Sequence, residues 1–212
     1  MVAMKSMQYL IRIFLVIHLF FLYENSVNAE TKVADEQSTS ALIKGLKSGG
    51  YIIYMRHGLT TRKDKSRDKS LIDLTRCETQ RNLTEAGKSQ VEHLGLLMKS
   101  LEIPIGQVKS SPYCRTKDTA SAVFGKYIID ENLRFSISMK SNESEVLGKY
   151  LLDSMLASND LQKNTVYVGH TANLKDGLGV WPKPEGVMVI FKKEGDEIIY
   201  EGMIKPDDWP KF

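Results

Sequence analysis

Two cysteines in 212 residues are too few to build a disulfide scaffold for a chain this long. An excess of one charge is also lacking. The 29 Lys and Arg against 26 Asp and Glu leave a formal net charge of +3, which is too mild to argue for nucleic-acid binding without a concentrated basic face. No internal repeat or low-complexity block is present, so repeat architectures are set aside. The apolar run at residues 13–23 is short for a membrane span, which needs about 20 apolar residues. What remains is a chain with 42% apolar content, enough for one sizeable core and one domain.

The N-terminal run has another reading. Lys5 and Arg12 precede it, and Val27-Asn28-Ala29 follows as a small-residue end. A positive n-region, a short apolar core and such an end describe a secretory signal peptide over 1–29, cleaved near Ala29. Its removal leaves 27 basic and 25 acidic side chains, a nearly neutral mature protein. Export would carry the chain to the periplasm or outside the cell, with no stable membrane anchor after cleavage. Cys77 and Cys114 would then meet an oxidising compartment. The spacing alone decides neither for a bridge nor for two free thiols.

Residues 30–39 are polar and aperiodic, a flexible entry to a domain at 40–212. Thr39 or Ser40 is positioned to cap a short helix carrying Ala41, Leu42 and Leu46, closed by Gly49-Gly50. Tyr51-Ile52-Ile53-Tyr54-Met55 is a continuous apolar run, as expected of a buried strand in a parallel sheet. It ends in Arg56-His57-Gly58, a cation beside an imidazole at a strand's carboxyl end, where open α/β sheets bind ligands. The mixed-charge run 60–69 is expected to be a solvated loop. Thr84 and Glu85 open an amphipathic helix with Val91, Leu94, Met98 and Leu101 on one stripe.

A strand at Gln107-Val108-Lys109-Ser110 leads to Ser111-Pro112, read as N-cap and first residue of a helix with Arg115 one turn in. Such an N-terminus attracts anions. Tyr127-Ile128-Ile129-Asp130 is a short strand. Asn142-Glu143-Ser144-Glu145 opens a helix burying Val146, Leu147, Tyr150, Leu151 and Met155. Asn164-Thr165-Val166-Tyr167-Val168 repeats the first design, ending in Gly169-His170. Two strands, 187–191 and 198–202, form a hairpin around Glu194-Gly195-Asp196. Strands alternating with helices make the fold α/β.

Three strand ends therefore carry Arg56-His57-Gly58, the Ser110 to Ala120 segment (Ser-Ser-Pro-x-x-Arg-Thr-x-x-Thr-Ala) and Gly169-His170. In this order they resemble the histidine phosphatase superfamily, with its phosphoglycerate-mutase-like fold. The resemblance spans about 51–191. The signal peptide and the segment from Cys77 to Thr84 make the chain look like exported bacterial members. It implies a three-layer sandwich, a mostly parallel central sheet with helices on both faces.

It also implies a phosphomonoester hydrolase. His57 would be the nucleophile that carries the phosphoryl group as a phosphohistidine. Arg56, Arg115 and His170 would bind that group. The residue chemistry agrees, since arginines clamp phosphate oxygens bidentately and disfavour the imidazolium of a neighbouring histidine. The partner implied is a small phosphorylated substrate, not nucleic acid. No cofactor and no metal is implied, and His18 and His93 make no ligand cluster with the other two histidines. The family usually supplies a carboxylic acid to protonate the leaving oxygen. Glu143, Glu145 and Glu185 are candidates, and Glu185 is the choice. The alternative is a non-catalytic phosphate-binding or envelope-interaction protein on the same fold. A phosphomutase ranks lower, because the chain lacks the Glu-rich Tyr-Gly segment of those mutases and carries an export signal.

Overall fold

The computed structural model describes residues 32–33, 37–61, 73–136 and 141–209. The signal segment and most of the 60–69 charge run lie outside the described residues. Twelve helices and strands follow in order: β1 Lys32–Val33, α1 Thr39–Ser48, β2 Tyr51–Arg56, α2 Glu85–Ser100, β3 Ile105–Ser110, α3 Cys114–Phe124, β4 Ile128–Ile129, α4 Ser141–Leu156, β5 Asn164–Gly169, α5 Thr171–Leu178, β6 Met188–Glu194 and β7 Glu197–Ile204. One seven-stranded sheet runs in the order β1-β7-β6-β2-β5-β3-β4. The pairs β1/β7, β2/β5, β5/β3 and β3/β4 are parallel, while β6 is antiparallel to both neighbours. This is the α/β sandwich expected.

The pleat of β2 divides the core. Ile53 and Met55 face one side with Leu42, Leu46, Val91, Leu94, Leu97 and Val123, so α1, α2 and α3 cover that face. Ile52 and Tyr54 face the other with Leu151, Met155, Leu174 and Leu178, from α4 and α5. Alternate residues of a strand point to opposite faces, and both faces here are covered. That is why 51–55 is apolar without interruption. Each fully buried Leu or Ile contributes about 1.5–3 kcal/mol.

Several local readings shift. Ser38, not Thr39 or Ser40, caps α1, its hydroxyl accepting from Ala41 N at 3.3 Å. Within the polar entry segment, Lys32–Val33 adds a strand beside β7. Val146 is exposed although it fits the helical stripe of α4, whose buried residues include Leu147, Leu151 and Met155. The helix α5 has no capping motif in its sequence; it starts directly after His170. Thr84 does cap α2, accepting from Gly87 N at 2.9 Å.

Candidate active site

Because β2, β5 and β3 are adjacent and parallel, their carboxyl ends meet at one edge. His57 N donates to Gly169 O (3.1 Å) and Ser111 N to Val168 O (2.9 Å), carrying the sheet pairing one residue past its end. Gly186 N donates to His57 O at 2.9 Å and Arg56 N to Val187 O at 3.1 Å, which ties the segment before β6 to the same place. The four residues expected at the site, Arg56, His57, Arg115 and His170, are thereby brought together, and Glu185 joins them.

His57 is buried, with its ring Nδ1 2.9 Å from Gly58 O. A carbonyl oxygen only accepts, so Nδ1 carries the proton and Nε2 keeps the lone pair. Burial first, then the charges of Arg115, Arg56 and Arg81, push the imidazole well below the ordinary histidine range. His57 is therefore neutral near pH 7, with one nitrogen able to attack.

His170 differs. Its Nδ1 lies 3.3 Å from Arg115 Nη2, which can only donate, so its Nε2–H donates to Ser111 Oγ at 2.8 Å. Burial and the Arg115 charge lower its pKa well below normal as well. Tyr54 clasps its backbone, donating to His170 O (2.7 Å) and accepting from His170 N (2.9 Å). The tyrosine oxygen lies 2.3 Å from where a Cβ on Gly169 would stand, so this position requires glycine. The two rings lie edge to face, 5.6 Å apart.

Arg115 is fully buried in the first turn of α3. Its guanidinium stacks over Tyr113 at 4.6 Å and Phe135 at 5.6 Å, and Nη1 donates to Arg81 O at 3.4 Å. The helix begins at Cys114, after Tyr113, not at Ser111-Pro112. Ser111 bonds to His170 instead, and its carbonyl accepts from Thr116 Oγ1 at 2.9 Å. Thr119 Oγ1 accepts from Gly58 N at 3.0 Å and donates to Arg115 O at 2.7 Å, tying α3 to the Arg-His-Gly turn.

Arg81 is the site residue that the sequence reading passed over. Cys77 and Cys114 form a disulfide, and Gln80 Oε1 accepts from Cys114 N at 2.9 Å. The 77–84 segment is thus fastened to the start of α3, and Arg81 comes within 3.9 Å of Glu185. Its only sequence signal was its place four residues after a cysteine whose partner was undecided.

Glu185 is buried, with Oε1 accepting from Arg56 Nη2 (3.1 Å) and Thr60 Oγ1 (3.0 Å) and Oε2 from Thr60 N (2.9 Å). Arg56 Nη1 also donates to Pro182 O at 3.2 Å. Glu143 and Glu145 are exposed at the start of α4 and do not line the cavity. That cavity, about 840 Å³, is lined by Arg56, His57, Arg81, Glu185 and Phe135, whose ring packs on His170 and Arg115, and by Lys175, Trp181 and Lys183. Arg115 and His170 are not among its lining residues; they form the layer beneath. Among the described residues no group of three or more His, Cys, Asp or Glu could hold a metal ion. None of the described helices is long and apolar enough to cross a membrane.

A phosphoglycerate-mutase-like α/β sandwich with two neutral histidines among three arginines at its strand ends is the class this fold and site define. The sequence pattern of the Histidine phosphatase superfamily (branch 1) matches residues 52–134, the stretch that holds Arg56, His57, Arg81 and Arg115. That stretch is similar to the histidine phosphatase superfamily. No curated protein matches the chain. Among solved structures, the fold is similar to phosphoserine phosphatase from Entamoeba histolytica in complex with 3-phosphoglyceric acid, at 16% identity, TM-score 0.56, over 73% of this chain and 96% of that one. The protein histidine phosphatase SixA complexed with tungstate is similar at 13% identity, TM-score 0.51, over 74% and 98%. A mycobacterial glucosyl-3-phosphoglycerate phosphatase in complex with VO3 is similar at 11% identity, TM-score 0.53, over 73% and 98%.

Proposed function

We propose that the protein is a phosphomonoester hydrolase working through a phosphohistidine on His57. The observation that carries this reading is the 2.9 Å contact from His57 Nδ1 to Gly58 O, which leaves Nε2 unprotonated inside an arginine-lined cavity. The Nε2 lone pair attacks phosphorus as the ester P–O bond breaks, and the leaving oxygen takes its proton from solvent water in the cavity. Water then attacks the phosphohistidine, the P–N bond breaks and inorganic phosphate leaves with His57 restored. Arg56 and Arg81 face the phosphoryl oxygens, and Arg115 with His170 adds fixed positive charge and polarity from below.

Glu185 suits another task than the expected proton donor. Both of its oxygens accept hydrogen bonds, Oε1 from Arg56 and Thr60 and Oε2 from Thr60 N, so the carboxylate is tied to Arg56 and not to the leaving side of the cavity. We assign it to fixing Arg56 over the cavity. The chain is proposed to act after export, with 1–29 removed; the Cys77–Cys114 disulfide supports an oxidising compartment.

The test is intact-protein mass spectrometry of the mature domain, quenched at alkaline pH soon after mixing with a panel of phosphomonoesters. An acid-labile phosphoryl adduct, absent in His57→Ala, is the expected result. Neither adduct nor phosphate release from any ester would overturn the hydrolase reading and leave the phosphate-binding alternative.

A further inference from the structure

The outer half of the cavity contains more positive charge than a single phosphoryl group needs. Lys175 comes from α5 and Lys183 from the segment before β6. Their ammonium groups both sit over the ring of Trp181, at 5.5 and 4.9 Å from its centre. Cation–π contacts of this kind hold an ammonium within about 6 Å of a ring while leaving its other protons to a ligand. Among the described residues neither lysine is within ion-pair distance of a carboxylate. Trp181 itself is 41% exposed, so its ring face is open to the cavity mouth as well as to the two lysines. The other charge on this rim is Asp176, an exposed carboxylate that accepts from Ser136 Oγ at 3.3 Å.

The rim is mechanically registered to the phosphoryl floor. Pro182 O accepts from Arg56 and Glu185 binds Arg56, so Trp181 and Lys183 stand next to residues that touch the floor directly. A cavity of about 840 Å³ accommodates a ligand far larger than phosphate, within the usual range for sites that enclose a whole small molecule.

We infer that Lys175, Trp181 and Lys183 form a second anion subsite, so that the preferred substrate carries another negative group on its leaving side, a carboxylate or a second phosphate. This rests on the reading of the inner site as the phosphoryl pocket. The lysines recruit the second anion by charge, and the ring keeps both ammonium groups turned to the cavity mouth. Two such cations raise the affinity for a doubly anionic ester while giving a neutral leaving group nothing extra.

The test uses two esters that differ at one terminus, 3-phosphoglycerate and glycerol 3-phosphate. Binding of each is measured by calorimetry on His57→Ala, which cannot turn them over. The expected preference for 3-phosphoglycerate is about 5-fold or more, the modest gain expected of two exposed charge contacts. Adding Lys175→Gln and Lys183→Gln should bring the ratio to about 1. Equal binding of the two esters, binding of neither, or a preference that survives the double lysine change would overturn the subsite. Should His57→Ala not fold, the ratio of KM values in the otherwise native enzyme, with and without the lysine changes, reads the same quantity. Phosphate release by the wild type from either ester is scored separately. Its absence from these two esters and from the wider ester panel would sink the hydrolase reading without bearing on the binding ratio.

Discussion

His57 and His170 stand at the ends of neighbouring parallel strands, each after a run of buried apolar residues, yet their rings do opposite things. His57 donates from Nδ1 to the carbonyl of the next residue and leaves Nε2 open to the cavity. His170 accepts at Nδ1 from Arg115, donates from Nε2 to Ser111 and lies beneath the cavity floor. The same residue after the same kind of strand is the proposed nucleophile in one case and a brace in the other. What separates them is the partner that the fold sets against each nitrogen, since tautomer and access follow from the hydrogen bond the other nitrogen makes.

The strongest way to break this comparison is to remove each ring in turn. His57→Ala should lower kcat by on the order of 10⁴-fold or more and abolish the trapped phosphoenzyme, as loss of a covalent nucleophile does. His170→Asn should lower kcat by only about 10²-fold, the usual cost of disturbing one charge-stabilising group, and the phosphoenzyme should still form. Single-turnover mass spectrometry separates the two. A phosphoenzyme in His57→Ala, or none in His170→Asn, would exchange their roles.

Glu185→Gln sharpens the reading of the carboxylate. If Glu185 fixes Arg56, turnover should fall by about 10-fold, similarly for p-nitrophenyl phosphate and for alkyl phosphates. A proton donor behaves otherwise, mattering for poor leaving groups and little for good ones. A loss confined to alkyl esters would restore Glu185 as the acid.

Tyr54→Phe tests the clasp on His170. Its hydroxyl serves both the N–H and the C=O of that residue in a buried position, so its loss should cost about 1–3 kcal/mol in urea unfolding. A change below about 0.5 kcal/mol, the scale of an ordinary surface substitution, would mean that the clasp is not structural.

The last contrast is in pH. Both histidines have folded pKa values well below the ordinary 6.5. Above about pH 6.5 both states are neutral at these positions and nothing changes. Below it the unfolded chain takes up protons that the folded chain refuses, so stability falls as pH drops. The slope should approach about 1.4 kcal/mol per pH unit for each ring until the folded values are reached. His170→Asn should roughly halve that slope. Chemical denaturation between pH 7 and 5 reads it, and a slope unchanged by the substitution would show that His170 takes up its proton in the folded state as readily as in the unfolded one.

Much of the frame was legible in the chain. The uninterrupted run at 51–55, the Thr84 cap with its helical stripe and the hairpin around Gly195 are local patterns, and local patterns reflect local physics: period, capping and turn geometry. Val146 broke the pattern, since a helical stripe shows one face without showing how wide the neighbouring layer is. The start of α3 was misplaced because Ser111 and Pro112 carry strong start signals that a side-chain bond to His170 overrides.

By itself, then, the sequence determined the alternation of strands and helices and the placing of Arg56, His57, Arg115 and His170 at strand ends, because burial on both faces and chain reversal leave marks in consecutive residues. Only the tertiary structure decided which histidine nitrogen is open, that Glu185 reaches across to bind Arg56, and that a disulfide draws Arg81 into the site. His57 takes its tautomer from the next residue, but the other contacts join groups far apart in sequence, from 34 residues for Cys114 and Gln80 through 55 and 59 for His170 with Arg115 and Ser111 to 129 for Arg56 and Glu185. Hydrogen bonds and charges act across whatever space the packed sheet and helices leave, and no run of neighbouring residues records that distance.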